Sequence, residues 1–174
     1  MNYFELYNLP VSFNPDQILV KQQFYALSKK YHPDFYINET EEKQQEVLEL
    51  STLNNKAFQV LKDANKRLQY VLGLEGQITA GENYALPQDF LMEMMDVNET
   101  LMDLQFEPDA NKAEQVKTQI DSFESGLKTE LESLTIRFDN AVAAEKTSIL
   151  KQIKDNFYRS KYLWRIKESL AKMS

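Results

Sequence analysis

Residues 14–34 read NPDQILVKQQFYALSKKYHPD, and this stretch decides the fold. Asn14 is the expected N-cap, Pro15 suits the first helical position, and Gln17 sits where a capping-box partner belongs. Val20, Phe24, Leu27 and Tyr31 then recur at 4-3-4 spacing, the pattern of a helix with one buried stripe. Pro33 pushes His32 out of the helical region, so the helix is predicted to end near Tyr31. On the opposite side Lys21, Tyr25 and Lys29 fall one and two turns apart, with Lys30 beside them. The stretch therefore predicts an amphipathic helix with a cationic solvent face. A rigid proline corner closes it and holds a carboxylate, Asp34.

Working outward, residues 3–9 read as a short helix stopped by Pro10. Residues 35–40 are predicted to form a loop. Thr40-Glu41-Glu42 opens a long helix whose acidic first turn complements the macrodipole. Its expected apolar stripe is Leu50, Leu53, Ala57, Leu61, Ala64 and Leu68, with a candidate break at Asp63-Ala64-Asn65 before Gly73. Residues 76–86 hold two of the four glycines and no clear periodicity. They read as a connection between domains at 1–75 and 87–174.

Beyond Pro87, the residues Phe90, Met94, Val97, Leu101 and Leu104 repeat at 4-3-4-3. Phe106-Glu107-Pro108-Asp109 reads as a turn. Ala113, Val116, Ile120, Phe123, Leu127, Leu131, Leu134 and Phe138 alternate by threes and fours, as in a long bundle helix. A last helix is predicted from about residue 144 to 172. Its apolar residues Ile149, Ile153, Phe157, Leu163, Trp164, Ile166 and Leu170 cover more than one stripe, and Trp164 and the remaining aromatics are expected in the core. The fold class is all-α: a small N-terminal helical hairpin domain, then a C-terminal three-helix bundle.

Composition narrows the function. The chain has one His and no Cys, which excludes thiolate zinc sites, disulfides and cysteine nucleophiles. A carboxylate-pair hydrolase lacks any Gly-rich or strand-based pocket framework, so no enzymatic activity, cofactor or resident metal is expected. The net charge is −7, with eight basic against ten acidic residues in 1–75 and twelve against seventeen in 76–174. Both halves repel a phosphate backbone, so nucleic acid is not an expected partner. No apolar run is long enough to cross a bilayer, and the N-terminus lacks the basic and apolar regions of a signal peptide, so no membrane partner is expected and the expected compartment is the cytoplasm.

Function must then be read from surfaces. The cationic face beside a positioned Asp34 suits docking on an acidic protein surface, an attraction screened over ~8 Å at physiological ionic strength. A second candidate lies on the helix after Pro87. Projected at about 100° per residue, Leu91, Met92 and Met95 fall away from the buried stripe, and Asp96, Glu99 and Asp103 lie with them. An apolar patch edged by carboxylates, with adaptable Met side chains, is a protein-binding surface.

Residues 1–75 resemble a J-domain. The resemblance rests on Tyr3-Phe4-Glu5-Leu6-Tyr7-Asn8-Leu9, the basic second helix, Tyr31-His32-Pro33-Asp34, and a long third helix followed by a short fourth around Arg67-Leu68-Gln69-Tyr70. Phe35 stands where many J-domains carry Lys. The whole chain is similar to the HscB family of iron–sulfur-assembly co-chaperones, with Phe90-Leu91-Met92-Glu93 and the acidic, Leu/Met-rich turn after it matching that family's C-terminal pattern. The resemblance implies docking on a DnaK/HscA-type chaperone ATPase through His32, Pro33, Asp34, Lys21, Tyr25, Lys29 and Lys30. It also implies binding of an IscU-type iron–sulfur scaffold protein through Leu91, Met92, Met95, Asp96, Glu99, Asp103 and Tyr162. The absence of the N-terminal Cys module seen in eukaryotic relatives favours a bacterial-type cytosolic protein. Two alternatives remain: a J-domain protein serving another client, and a helical adaptor in which the tripeptide is coincidental.

Overall fold

The computed structural model describes residues 1–173; Ser174, the end of the predicted 87–174 domain, lies outside the described residues. The described residues form helices, turns and loops, with no strand among them. They divide into two compact units, Met1–Gly76 and a second beginning at Gln77.

In the first unit, α1 spans Tyr3–Leu6, α2 Gln17–Lys30, α3 Glu41–Lys62 and α4 Ala64–Leu74. α1 is shorter than the predicted 3–9. Asn8 takes the left-handed conformation at φ 54°, and the Leu9 N–H turns back to the Phe4 carbonyl at 2.9 Å. That closure ends the helix before Pro10 is reached. α2 also starts later than expected. Its N-cap is Asp16, whose carboxylate accepts the Ile18 N–H at 2.9 Å, so Asn14 and Pro15 lie outside the helix. Gln17 is not a capping-box partner: its amide donates across to the Leu61 carbonyl at 3.1 Å. Asn14 and Asp16 are both capable N-caps, and Asp16 is the one used.

α2 and α3 pair antiparallel, with Phe24 stacked on Phe58 at 4.0 Å between centroids. Val20 is fully buried, while Phe24, Leu27 and Tyr31 are half-buried. On α3 the fully buried residues are Val47, Asn54, Ala57 and Leu61. Asn54 takes the slot that the apolar pattern left empty. Its side chain accepts the Tyr7 hydroxyl at 2.8 Å and donates to the Phe24 carbonyl at 3.2 Å and the Ser28 hydroxyl at 3.1 Å. This one amide joins α2, α3 and the end of α1. Burial pushes the Tyr7 hydroxyl above the ordinary tyrosine range, so it remains a donor.

The predicted break is present: α3 ends at Lys62, and Asp63 caps α4 by accepting the Lys66 N–H at 2.8 Å. That bond holds the Asp63 carboxyl below its usual range. The break resets the helical phase, so Ala64, expected in the stripe, is exposed while Leu68, Val71 and Leu72 are buried. Arg67 donates to the carbonyls of Phe13 at 2.8 Å and Leu61 at 2.7 Å. Tyr70 stacks on Tyr3 at 4.5 Å and accepts its N–H.

In the second unit, α5 spans Gln88–Phe106, α6 Ala110–Asn140 and α7 Ala143–Lys172. All five residues of the predicted α5 stripe are buried. α6 and α7 run antiparallel, and Asn156 of α7 donates to the Leu127 carbonyl of α6 at 2.9 Å. Phe90, Met94, Val97 and Leu101 pack with Val116, Ile120, Leu127, Leu163 and Ile166 into one core. Trp164 is not core: it is 57% exposed, and Tyr25, Phe35 and Phe106 are exposed too. α7 has apolar residues on more sides than the bundle can cover, so one side faces water.

The residues expected as a connection include an anchored part. Tyr84 donates to Asp155 at 2.7 Å, Tyr158 donates to Glu82, and the two rings stack at 4.5 Å. Lys154 approaches Glu82 at 3.5 Å.

Candidate functional site

α2 carries three lysines and no acidic residue. Lys21, Tyr25, Lys29 and Lys30 are all exposed. Lys29 and Lys30 stand in the last turn, where cations also complement the helix dipole. The Lys30 ammonium sits 5.2 Å from the Tyr31 ring centre.

The chain leaves α2 through Tyr31 and His32, and Pro33–Tyr36 winds into a 3-10 turn. Residues 35 and 36 are thus more ordered than the loop expected there. Pro33 fits because the first position of such a turn needs no N–H donor. The His32 Nδ1 accepts the Asp34 N–H at 3.2 Å, and the Phe35 N–H donates to the His32 carbonyl at 3.1 Å. Nδ1 is therefore the acceptor nitrogen of this imidazole. One Asp34 carboxylate oxygen lies 3.7 Å from it. The side chains of His32 and Asp34 are 53% and 79% exposed.

Two residues that the tripeptide pattern does not contain hold this corner. The Tyr36 hydroxyl donates to the Lys30 carbonyl at 2.7 Å. The Gln44 amide of α3 donates to the carbonyls of Ile37 and Glu39, both at 3.0 Å. No local signal in the sequence marks either as a brace, since each acts across a gap of five to seven residues. The result is a braced backbone corner that presents the Asp34 carboxylate to solvent at the end of a basic helix. That arrangement can accept hydrogen bonds from a cationic partner. Among the described residues, no cluster of His, Asp and Glu could hold a metal ion, and no helix is long and apolar enough to cross a membrane.

The second surface lies on α5. Leu91, Met92 and Met95 are 41%, 62% and 55% exposed. Asp96, Glu99 and Asp103 are exposed with them. Tyr162 is half-buried on α7; its hydroxyl accepts from Asn98 at 2.8 Å, and its ring meets Phe90 edge-on at 5.6 Å. Asn98 is two turns from Leu91 on nearly the same line of the helix, so Tyr162 is brought to the border of the apolar strip. Met102 and Phe106, at 61% and 87% exposure, extend that strip and were not singled out from the sequence. Continuing the 91–95 spacing in steps of three and four would have found them.

Residues 2–70 match the DnaJ domain family, and residues 86–171 match the family described as HSCB C-terminal oligomerisation domain. The co-chaperone protein HscB homolog of Vibrio cholerae serotype O1 is 32% identical over 164 residues, covering 94% of this chain and 84% of the relative. Co-chaperone protein HscB of Buchnera aphidicola subsp. Acyrthosiphon pisum is 41% identical over 115 residues, covering 66% of each. Among solved structures, chaperone HscB from Vibrio cholerae superposes with a TM-score of 0.57 at 26% identity, over 99% of this chain and 96% of that one. The human co-chaperone HscB shares the fold, with a TM-score of 0.67 at 21% identity, over 98% of this chain and 81% of that one.

Proposed function

The chain belongs to the HscB family of J-domain co-chaperones, and from that premise we propose that it delivers an IscU-type iron–sulfur scaffold protein to a DnaK/HscA-type chaperone and stimulates that chaperone's ATPase. The observation that carries the reading is the braced, solvent-open Asp34 at the end of an acid-free basic helix, on the same chain as an exposed apolar helix face. In this reading Lys21, Lys29 and Lys30 steer the first unit to an acidic surface of the ATPase, and Tyr25 adds apolar contact. Pro33 and the bond from Tyr36 hold the backbone that carries Asp34 at the end of the basic helix. The client is held by Leu91, Met92 and Met95, with Asp96, Glu99 and Asp103 along one edge and Tyr162 at the other. No residue of the chain performs bond chemistry; it acts by docking two proteins.

The test is steady-state ATP turnover by the chaperone with this protein alone, with the scaffold alone, and with both. Stimulation by this protein, increased further by the scaffold, is the expected result. Turnover at the basal rate in all three mixtures would remove the proposal. Binding of a different client in place of the scaffold would leave the chaperone half standing and replace the client half.

A further inference from the structure

Five apolar side chains on α5 are exposed: Leu91, Met92, Met95, Met102 and Phe106. At about 100° per residue they fall within a wedge of about 100°, opposite the buried stripe. From Leu91 to Phe106 the strip is about 22 Å long at ~1.5 Å per residue. The strip is interrupted once, by the turn of Asn98 and Glu99 between Met95 and Met102; single exposed apolar residues are ordinary, but five along one helix face are a binding feature. Its borders differ in charge. Asp96, Glu99 and Asp103 edge one side, whereas Asn98 and Gln105 stand on the other. α5 has five acidic residues and no basic one.

We infer that the client-binding face runs the whole length of α5, to Met102 and Phe106, and takes a partner presenting an apolar strip with basic side chains along one border only. This rests on the reading of α5 as the scaffold-binding helix. Charge complementarity selects that occupant. A second copy of this chain would set two base-free acidic helices against each other, with like charges facing at close range. A basic-edged partner instead gains an attraction that also fixes which way round it lies. Phe106, the most exposed of the five, is a large anchor at the far end of the strip.

The experiment is calorimetric titration of the purified cognate iron–sulfur scaffold protein into the full chain. Met102→Ala with Phe106→Ala is expected to weaken binding tenfold or more with an unchanged melting temperature, since both side chains are largely in water. Asp103→Lys is expected to weaken it several-fold at low salt, and Gln105→Lys to leave it near the parent value. Leu91→Ala with Met92→Ala separates the extension to Met102 and Phe106 from the scaffold reading itself. If that pair weakens binding and the Met102/Phe106 pair does not, the extension is overturned and the scaffold reading survives. If neither pair matters, both fall. Equal loss from Asp103→Lys and Gln105→Lys overturns the one-sided border. Self-association in sedimentation that Phe106→Ala abolishes assigns the strip to a second copy and overturns the inference.

Discussion

The Tyr36 hydroxyl donates to the Lys30 carbonyl at 2.7 Å, so the turn that carries Asp34 is tied to the last residue of the basic helix. The bond crosses the proline corner and limits how far that corner can swing. Tyr36→Phe removes the donor and keeps the ring. The expected outcome is a several-fold loss of chaperone ATPase stimulation at subsaturating concentration, with stability changed by about 1 kcal/mol or less. Dose–response curves of ATP turnover, read beside a thermal melt, check it. Full stimulation by the variant would show that Gln44 alone suffices to hold the corner.

Asp34→Asn keeps the side-chain volume and the backbone N–H that His32 accepts. It deletes the negative charge from a side chain that is 79% exposed. ATPase stimulation is expected to vanish while the melting temperature stays put, because little in the fold leans on that carboxylate. A variant that still stimulates at the parent level takes Asp34 out of the docking role.

Leu91→Ala combined with Met92→Ala removes two exposed apolar side chains without opening a cavity. Scaffold binding is expected to weaken by ~2 kcal/mol or more, the size of a hot-spot truncation. Isothermal calorimetry reads this directly. Wild-type affinity would take Leu91 and Met92 out of the client contact.

How much of this was legible in the sequence depends on where each helix gets its phase. The 4-3-4-3 repeat of Phe90 to Leu104 sets one buried face by itself, and all five residues are buried. α3 was harder. Its deepest stripe is Val47, Asn54, Ala57 and Leu61, and Asn54 hides the pattern because apolarity is the usual cue. The amide is buried only because Tyr7, Phe24 and Ser28 converge on it, which local spacing cannot show. Ala64 fell on the wrong side of a break that was itself foreseen, since a new helix starts a new phase. Trp164, expected in the core, is exposed because its helix carries apolar residues on more sides than the bundle covers. The tripeptide corner was readable as a motif; its braces, Tyr36 and Gln44, act through long side chains to backbone carbonyls and leave no pattern.

Asn54→Ala should show what that buried amide contributes. The change takes the 2.8 Å side-chain acceptor from the Tyr7 hydroxyl, which keeps only the residue-54 backbone carbonyl at 3.1 Å, and it leaves the Phe24 carbonyl and the Ser28 hydroxyl short of a donor. The expected cost is about 2–3 kcal/mol, larger than an average substitution because buried polar groups lose partners. In a unit of this size the melting midpoint falls by roughly 10 °C or more. A melt within about 2 °C of the parent would mean that Tyr7 and Phe24 hold the three helices without it.

The Tyr84–Tyr158 stack gives the second unit an alkaline limit. Burial first, and then the hydrogen bonds to Asp155 and Glu82, push both phenols up from 10.0 to about 12. The folded state therefore keeps protons that the unfolded chain releases. The stabilisation is full below pH 10 and is lost as pH rises from there through 12. Glu82 behaves in the opposite sense: the Tyr158 hydrogen bond holds its carboxyl below 4.5, so its share is present above that pH and fades as acid titrates it. The double variant Tyr84→Phe and Tyr158→Phe should unfold at lower urea than the parent near neutral pH, by about 1 kcal/mol for the two phenols together. That gap should close as pH climbs from 10 toward 12. Urea midpoints of both proteins across pH 7 to 12 check it, and a gap that stays constant over that range would mean the phenols stabilise by stacking, not by holding their protons.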